Sequence, residues 1–395
     1  MKKILFLLLI ILLPLNIFAI DIKSKNAILY NLNDDSILYE VNSNDKVYIA
    51  SMTKIMTALV ALEKIDNIND KVTMTSPMFK DLVEQNASVA GFKEGEVVTY
   101  KDLLYGLMLP SGADAAQGLA ISTYGSVDNF VKAMNNKAKE LDLKNTHFMN
   151  PTGLDDKNHY SSVADVALFL KEALNNDNFK EIFEADTYTT SNGKHVFKAT
   201  RNKYNFDTSF IDGSKTGFTY DAGLCMASTS HKDGINYLLV TANAPYTNKT
   251  NHLVDAKNIF EYYFNNYGEI TILNKDELIT TITLEDGREI NYYSDIDLKK
   301  YLNKSCNITK GYNGSLDLND YDIGDKIGEY IIKCDDNIIY KKDIVLNITH
   351  SEESKNMNYK IIISLIFISL VIGGIICYGI FNKRRNKKRV KNTNR

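Results

Sequence analysis

The chain has 395 residues, of which 44% are hydrophobic and 24% are charged, and its formal net charge is −3. The length predicts two or three domains, and the composition is typical of a folded globular protein and excludes a largely disordered one. Eight positive charges lie in residues 382–395 and two more at Lys2 and Lys3, which leaves a net charge of −13 for residues 20–382. An acidic body of this kind argues against nucleic acid as a partner.

The N-terminus has the pattern of a secretory signal peptide. Two lysines precede an almost purely apolar run from Ile4 to Leu15, and Ile17-Phe18-Ala19 resembles a cleavage site. We therefore expect residues 1–19 to be removed by cleavage after Ala19. The alternative is an uncleaved membrane anchor.

The next elements are a hairpin and a block of helices. Residues 27–40 predict a β-hairpin around the turn cluster Asn33-Asp34-Asp35. Residues 51–64 predict a helix with a wide apolar face. Helical patterns with start and stop signals follow at residues 99–109, 113–124, 126–141 and 162–175.

After about Asp186 the sequence changes to the pattern of strands. Residues 223–230 and 235–243 read as two strands joined by a tight turn, and residues 252–267 as a closing helix. The order of strands, helices and strands predicts an α+β domain over residues 20–268. In such a domain an antiparallel sheet packs against helices inserted in mid-chain.

Residues 269–350 consist of short β runs separated by turn residues and predict a separate, small all-β domain. Cys306 and Cys334 lie in this region and could pair in an oxidising compartment, whereas Cys225 lies in an apolar strand and is expected in the core. No cysteine or histidine spacing indicates a metal site, and we expect neither a metal nor a cofactor.

The C-terminus has the pattern of a membrane anchor. Residues 361–381 are 21 uncharged residues, long enough to span a ~30 Å hydrocarbon core as a helix. The basic tail of residues 382–395 belongs on the cytoplasmic side. We therefore expect a single-pass protein of the cell membrane with an extracytoplasmic body and a cytoplasmic tail.

The first candidate for chemistry is Ser51-Met52-Thr53-Lys54, a Ser-x-x-Lys motif. Positions i and i+3 of a helix share a face about 5–6 Å apart, so a hydroxyl and an amine placed there can act as nucleophile and base. The motif occurs again at Ser43 and at Ser191, both in turn-like sequence, and only Ser51 begins an amphipathic helix. The alternative for Ser51 is a simple helix N-cap.

Two further motifs favour the catalytic interpretation. Ser111-Gly112 follows Pro110 in a sharp loop between two predicted helices, and Lys215-Thr216-Gly217 precedes the strand hairpin. Serine–lysine acyltransferases have these three motifs in this order, on a helix, an inter-helix loop and a strand. The chain therefore resembles the low-molecular-mass penicillin-binding proteins, specifically the D-alanyl-D-alanine carboxypeptidases.

The resemblance covers residues 22–268 and includes Asn150-Pro151-Thr152-Gly153-Leu154 and His159-Tyr160-Ser161. It implies a β-lactamase/transpeptidase-like domain, an antiparallel sheet with an inserted helical subdomain. It also implies a hydrolase of the bacterial cell wall that cleaves peptidoglycan stem peptides ending in D-Ala-D-Ala. β-Lactam antibiotics would be covalent inhibitors of such an enzyme.

The resemblance also implies roles for single residues. Ser51 would be the nucleophile, Lys54 its base and Ser111 a proton relay, and the backbone N–H groups of Ser51 and Phe218 would form an oxyanion hole. The residues implied to bind substrate are Lys215, Thr216, Gly217, Phe218 and Arg201. For Arg201 the alternative is an ordinary surface arginine.

One departure from the family pattern concerns Ala113, because the second motif of the family is usually Ser-x-Asn. The missing amide removes a hydrogen-bond partner worth about 1–3 kcal/mol in a buried site. We expect weakened rather than absent chemistry, and we do not assign the role of the amide to the neighbouring Asp114.

Two other functions remain open. A class A β-lactamase shares the three motifs but also needs a glutamate that activates water for deacylation, and residues 141–156 contain none. A non-catalytic wall-binding or sensor protein on the same fold, made inert by Ala113, is the second alternative.

Overall fold

The computed structural model describes residues 20–283, 289–315 and 321–346. The chain divides into two compact units, one ending at Asn266 and the other beginning at Tyr267. The predicted signal peptide 1–19, membrane segment 361–381 and basic tail 382–395 lie outside the described residues. Within the described part of the chain, no helix combines the length and the apolar character needed to cross a membrane.

The first unit contains nine strands and seven helices in its described residues. The strands are β1 (Asn26–Asn31), β2 (Ser36–Val41), β3 (Lys71–Thr73), β4 (Val97–Thr99), β5 (Thr187–Thr189), β6 (Val196–Lys198), β7 (Gly213–Thr219), β8 (Gly223–Lys232) and β9 (Ile235–Ala244). The helices are α1 (Thr53–Leu62), α2 (Tyr100–Met108), α3 (Ala113–Tyr124), α4 (Val127–Glu140), α5 (Val163–Leu174), α6 (Asp177–Glu184) and α7 (Asn251–Asn266).

Five strands form one antiparallel sheet in the order β2-β1-β9-β8-β7. Helices α1 to α6 are inserted between β2 and β7 in the sequence, as the α+β prediction requires. The two hairpins predicted in this sheet are present as β1–β2 and β8–β9, and Asp233 and Gly234 both have positive φ in the β8–β9 turn. Strand β7, which carries Lys215-Thr216-Gly217, lies at the sheet edge.

Helix α1 is buried on every side, rather than on the single wide face that its sequence indicates. A helix that is buried on all sides lies in the centre of a domain, and α1 contacts α2, α3, α4, α5 and α6. The predicted helix 51–64 is also divided in two, because a 3₁₀ turn over Ala50–Met52 precedes α1. Ala50 has a φ of 45°, which turns the chain sharply just before Ser51.

The other helix predictions are confirmed to within two residues. Helix α2 begins after a capping box in which Thr99 and Asp102 exchange hydrogen bonds of 3.1 and 2.8 Å. Helix α6 was not predicted. It has only eight residues, too few to give a clear periodic pattern, although Asn176 caps its start.

The second unit consists of strands in its described residues. They are β10 (Tyr267–Leu273), β11 (Leu278–Thr283), β12 (Glu289–Tyr293), β13 (Leu298–Asn303), β14 (Ile308–Gly314), β15 (Lys326–Cys334) and β16 (Asn337–Val345). Ile272, Tyr330 and Ile332 are among the residues of its own hydrophobic core. A disulfide joins Cys306 to Cys334, which settles the pairing that the sequence left open.

Candidate active site

The candidate nucleophile Ser51 lies in the 3₁₀ turn that leads into α1. Lys54 follows one turn later on the same face, and its Nζ donates a hydrogen bond of 3.0 Å to Ser51 Oγ. Ser51 is partly exposed, whereas Lys54 is only 2% exposed. The predicted Ser-x-x-Lys pair is therefore formed, with an accessible hydroxyl and a buried amine.

The two other Ser-x-x-Lys sequences have different surroundings. Ser43 Oγ donates to a carboxylate oxygen of Glu40 at 2.7 Å, and Ser191 Oγ donates to Asp102 at 2.6 Å. Both of these hydroxyls are bonded to carboxylates, whereas Ser51 Oγ accepts a hydrogen bond from the lysine of its own motif.

Lys54 is held in an environment that favours its neutral form. Besides the bond to Ser51, its Nζ donates to the carbonyl oxygen of Thr152 at 2.5 Å. Burial lowers the pKa of Lys54 to about 7, and the negative charge of Asp114 opposes that shift. A substantial fraction of Lys54 is therefore a free amine at neutral pH, which is what a base for the Ser51 proton requires.

The loop that carries the Thr152 carbonyl packs against the turn of the nucleophile. Asn150 Oδ1 accepts hydrogen bonds from the N–H groups of Thr152 and Gly153 at 3.1 and 2.8 Å. Gly153 has a φ of 79°, and a Cβ on it would lie 2.0 Å from the carbonyl oxygen of Ala50. Only glycine fits both conditions. This loop is part of the family resemblance, which did not imply a role for it.

The second and third motifs meet at a hydrogen bond. Ser111 Oγ accepts a bond of 2.9 Å from Lys215 Nζ, which also donates to the carbonyl oxygen of Thr216 at 2.8 Å. Ser111 is 7% exposed, and it has a φ of 66°, a conformation uncommon for a residue with a side chain. Two residues 104 positions apart in the sequence therefore lie together as the motif pattern predicts.

Lys215 is fully buried, and its pKa lies well below the ordinary value for lysine. The largest cause is burial, followed by the positive charges of Lys54 and Lys203. The two buried amines therefore disfavour each other's protonation, and the site resists holding both of them charged.

Strand β7, which carries the third motif, runs directly beside the nucleophile. This close approach is possible because Gly217 has no side chain. A Cβ on Gly217 would lie 3.0 Å from the backbone N of Ser51 and 3.1 Å from the carbonyl oxygen of Ile49. The next residue, Phe218, is partly exposed and lines the same cavity as Ser51. The two N–H groups predicted to form an oxyanion hole thus belong to segments in close contact.

The cavity beside Ser51 and Lys54 has a volume of about 820 Å³. Phe218 in β7 and Tyr220 just after it line the cavity on one side, and residues 80–81 and 85–88 line it from the segment before β4. Its size is that of a site for a peptide or a small molecule.

Arg201 is buried, so its interpretation as a surface arginine is wrong. Its guanidinium donates to Asp186 at 2.7 Å and to the carbonyl oxygen of Glu184 at 3.1 Å. These bonds tie the end of α6 to the turn that contains Thr200, whose Oγ1 lies 2.6 Å from Thr216 Oγ1. A direct contact between Arg201 and substrate stays a prediction, and the observed bonds support an indirect role behind Thr216.

Asp114 does not replace the amide that Ala113 lacks. Its carboxylate is buried and accepts hydrogen bonds from the backbone N–H groups of Ala90, Gly91 and Phe92 at 2.7, 2.9 and 3.1 Å. The Asp114 carboxylate is therefore bound to this backbone segment, in agreement with the expectation that Asp114 does not take the role of the family's asparagine.

His159 supports the start of α1, a role that the family resemblance did not imply although it includes His159-Tyr160-Ser161. Its Nδ1 accepts the N–H of Met149 at 3.2 Å, so Nε2 carries the proton and donates to Thr53 Oγ1 at 2.8 Å. Burial lowers the pKa of His159 to about 4, which keeps the ring neutral at physiological pH.

Near this cavity, no cluster of possible metal ligands is found among the residues that the structure describes. Among the residues that the structure describes, the cluster of possible ligands is Cys306, Cys334 and Asp335, and its two sulfur atoms form the disulfide.

An accessible serine paired with a buried lysine, and a second serine–lysine pair on the neighbouring loop and strand, form the arrangement that is typical of serine acyl-transfer enzymes. They lie on a penicillin-binding, transpeptidase-like fold of mixed helix and sheet. The sequence profile of the D-alanyl-D-alanine carboxypeptidase family matches residues 15–246. The chain belongs to this family.

Individual relatives agree with this assignment. The chain is 31% identical over 270 residues to D-alanyl-D-alanine carboxypeptidase DacF of Bacillus subtilis (strain 168), covering 68% of this chain and 69% of that one. The crystal structure of the Streptomyces K15 DD-transpeptidase is similar with a TM-score of 0.57 and 31% identity, over 62% of this chain and 98% of that one. Penicillin binding protein 5 from Haemophilus influenzae is similar with a TM-score of 0.61 and 26% identity, over 83% and 97%.

Proposed function

We propose that this chain is a membrane-anchored serine carboxypeptidase that removes the terminal D-alanine from peptidoglycan stem peptides outside the cytoplasmic membrane. The observation that carries the proposal is the Lys54–Ser51 hydrogen bond of 3.0 Å beside the cavity, since it joins an accessible hydroxyl to an amine with a pKa of about 7. Family membership supports the reaction and the class of substrate.

In the acylation step, neutral Lys54 takes the proton of Ser51 Oγ while the oxygen attacks the carbonyl carbon of the penultimate D-alanine. The negative charge that develops on the carbonyl oxygen faces the backbone N–H groups of Ser51 and Phe218. Lys215 and Thr216 hold the terminal carboxylate of the peptide.

In the second half of acylation, the C–N bond breaks and the departing amine needs a proton. The proton that Lys54 took up returns to that nitrogen through Ser111, whose Oγ is hydrogen-bonded to Lys215. Free D-alanine leaves, and Ser51 carries the shortened peptide as an ester. Lys54 is neutral again.

Deacylation repeats the same chemistry with water as the nucleophile. Lys54 accepts a proton from the attacking water, the ester bond to Ser51 Oγ breaks, and the proton passes to that oxygen. The products are the shortened peptide and the free enzyme. A penicillin would acylate Ser51 by the same first step.

The anchoring part of the proposal rests on the sequence patterns of residues 1–19 and 361–395. It is tested by fractionating cells that express the full-length protein and by adding protease to the intact cells. We expect the protein in the membrane fraction, with its body cleaved from outside and its basic tail protected. Recovery of the full-length protein in the soluble cell extract would contradict this part alone.

The nucleophile is tested with a fluorescent penicillin. We expect covalent labelling of the wild-type protein and loss of the label in Ser51→Ala. The matched control is Ser43→Ala, which removes a hydroxyl from another Ser-x-x-Lys sequence and should leave labelling intact. Persistent label in Ser51→Ala would show that the nucleophile is another residue.

The reaction is tested by the release of D-alanine from diacetyl-L-Lys-D-Ala-D-Ala. The carboxypeptidase releases D-alanine and forms a slowly hydrolysed penicillin adduct. A class A-like β-lactamase would instead hydrolyse penicillin with rapid multiple turnover, and a non-catalytic wall-binding or sensor protein would do neither.

A further inference from the structure

The loop that carries Ser111 is packed tightly against the segment before β4. A Cβ on Gly112 would lie 2.7 Å from Ala90 Cβ and 2.8 Å from Ala90 N. The N–H of Ala113 donates to the carbonyl oxygen of Ser88 at 2.8 Å, and Ser88 lines the catalytic cavity. This segment therefore joins the cavity wall to the Ser111 loop.

The Asp114 carboxylate is the polar connection between the two parts. Oδ1 accepts the N–H of Ala90, and Oδ2 accepts the N–H groups of Gly91 and Phe92. Asp114 lies in the first turn of α3 and is 1% exposed. Hydrogen bonds from three successive N–H groups to one buried carboxylate are charge-assisted, and the N-terminal end of a helix also favours a negative charge.

We propose that Asp114 is a positioning residue: its carboxylate fixes residues 90–92 against the start of α3 and thereby holds Ser111 in the conformation in which its hydroxyl meets Lys215. Ser111 has a φ of 66°, which a residue with a side chain keeps only when its surroundings impose it. The inference rests on the proposed function, because the role of Ser111 as proton relay is part of that proposal.

Asp114 has a second effect that a purely structural residue would lack. Burial lowers the pKa of Lys54, and Asp114 is the negative charge that opposes this shift. The other titratable groups that interact with Lys54 are Lys215 and His159, and His159 is neutral near pH 7 because its pKa is about 4. Replacing Asp114 by a neutral residue therefore lowers the pKa of Lys54 further.

The test compares Asp114→Asn with Asp255→Asn in the full-length protein. Asp255 is a matched control, because it is fully buried on α7 and accepts the N–H groups of Lys23 and Ser24 at 2.7 Å each. For both variants we would measure the melting temperature, the rate of acylation by a fluorescent penicillin, and kcat/KM for D-alanine release as a function of pH.

For Asp114→Asn we expect acylation at least about tenfold slower than in the wild type, because small displacements of catalytic groups have effects of that size. We also expect the acid limb of kcat/KM to move to lower pH by about 0.5 units or more. Asp255→Asn should lower the melting temperature while leaving the acid limb in place. The inference is overturned if folded Asp114→Asn is acylated at the wild-type rate. It is also overturned if the acid limb of kcat/KM moves by the same amount in both variants.

If Asp114→Asn does not fold, Asp114→Glu carries the test, since it keeps the charge but displaces residues 90–92. A folded Asp114→Glu with slow acylation and an unshifted acid limb supports positioning, and one with wild-type rates overturns it. An inert wild type overturns the proposed function and the inference with it, whereas an active wild type with unaffected Asp114 variants overturns the inference alone.

Discussion

The carbonyl oxygen of Thr152 accepts a hydrogen bond of 2.5 Å from Lys54 Nζ, which at the same time donates to Ser51. A carbonyl accepts from both the charged and the neutral amine, so it orients Lys54 in either protonation state. It therefore fixes the direction in which the nitrogen lone pair can approach the Ser51 proton. Because the carbonyl belongs to the backbone, this contact does not depend on the amide that Ala113 lacks.

The pH dependence of catalysis should report the lowered pKa of Lys54. We expect kcat/KM for D-alanine release to rise through about pH 7, because kcat/KM follows the ionisation of the free enzyme. His159, with a pKa of about 4, should contribute nothing near that pH. The measurement is kcat/KM between about pH 5 and about pH 10 at constant ionic strength. An acid limb close to the ordinary lysine pKa of 10.5 would contradict Lys54 as a neutral base.

The close approach of β7 to the nucleophile should make Gly217→Ala costly. The new Cβ would lie 3.0 Å from Ser51 N and 3.1 Å from Ala50 Cβ, so strand and turn must move apart. We expect acylation by penicillin to fall at least about tenfold, since a displacement of about 1 Å can cost up to a hundredfold in rate. The measurement is the second-order rate of labelling.

The control for this variant is Gly311→Ala. Gly311 lies in β14, and a Cβ on it would meet nothing within 4 Å. Its labelling rate should equal that of the wild type. Equal rates for Gly217→Ala and the wild type would mean that the strand adjusts freely beside Ser51.

Much of the site could be predicted from the sequence because its chemistry is carried by short motifs on regular elements. Ser51 and Lys54 are related by helical spacing, and the position of Lys215 on a strand was implied by the family resemblance. The side chains of those elements point where their periodicity places them. The meeting of Ser111 with Lys215 was implied by the family resemblance, in which the three motifs form one site.

The rest of the site could not be predicted because it depends on how irregular loops pack. The Thr152 carbonyl reaches Lys54 across 98 residues of sequence, and Asp114 binds backbone groups of a loop with no periodic pattern. Burial of Arg201 has the same origin, since its partners are a carboxylate and carbonyl groups at the ends of other elements. Every residue has a backbone carbonyl group, so the residue type does not indicate which carbonyl accepts a hydrogen bond from a side chain.

Restoring the amide that the second motif lacks should raise the activity of the enzyme. Ala113 is 1% exposed at the first position of α3, and it lines the same cavity as Lys54. Ala113→Asn adds an acceptor and a donor there, and a hydrogen bond to a partly charged amine contributes about 1 kcal/mol. We expect kcat/KM for D-alanine release to rise between about threefold and about tenfold.

The control for the gain is Ala113→Leu, which adds a side chain of similar size without polar atoms. It should lower kcat/KM, because it fills the same space and offers no hydrogen bond. If the asparagine and leucine variants lose activity equally, bulk at this position decides the outcome, and the absence of the amide is not what limits the enzyme.

The burial of the Lys54 amine should reduce the stability of the folded protein, so replacing Lys54 by an apolar residue should raise that stability. The pKa of Lys54 is about 7 in the folded protein and near 10.5 in an unfolded chain. Below about pH 7 Lys54 is protonated in both the folded and the unfolded state, and the full free-energy cost of burying its charge lowers stability. Between about pH 7 and about pH 10.5 Lys54 is neutral in the folded state but still protonated in the unfolded state, so this cost decreases as the pH rises. Stability therefore rises with pH across this window.

Lys54→Met removes the cost together with two hydrogen bonds. At about pH 6 we expect a net gain of about 2 kcal/mol in the free energy of unfolding, which shrinks as the pH approaches 10. The measurement is urea unfolding of inactive Lys54→Met beside the wild type at several pH values. Lys137→Met is the matched control, because Lys137 is also buried but forms ion pairs of 2.6 and 2.8 Å with Glu63 and Glu140. Lys137→Met should be destabilised, because it leaves the carboxylates of these ion pairs without a lysine. Equal destabilisation of Lys54→Met at pH 6 would mean that burying the Lys54 amine does not reduce the stability of the wild type.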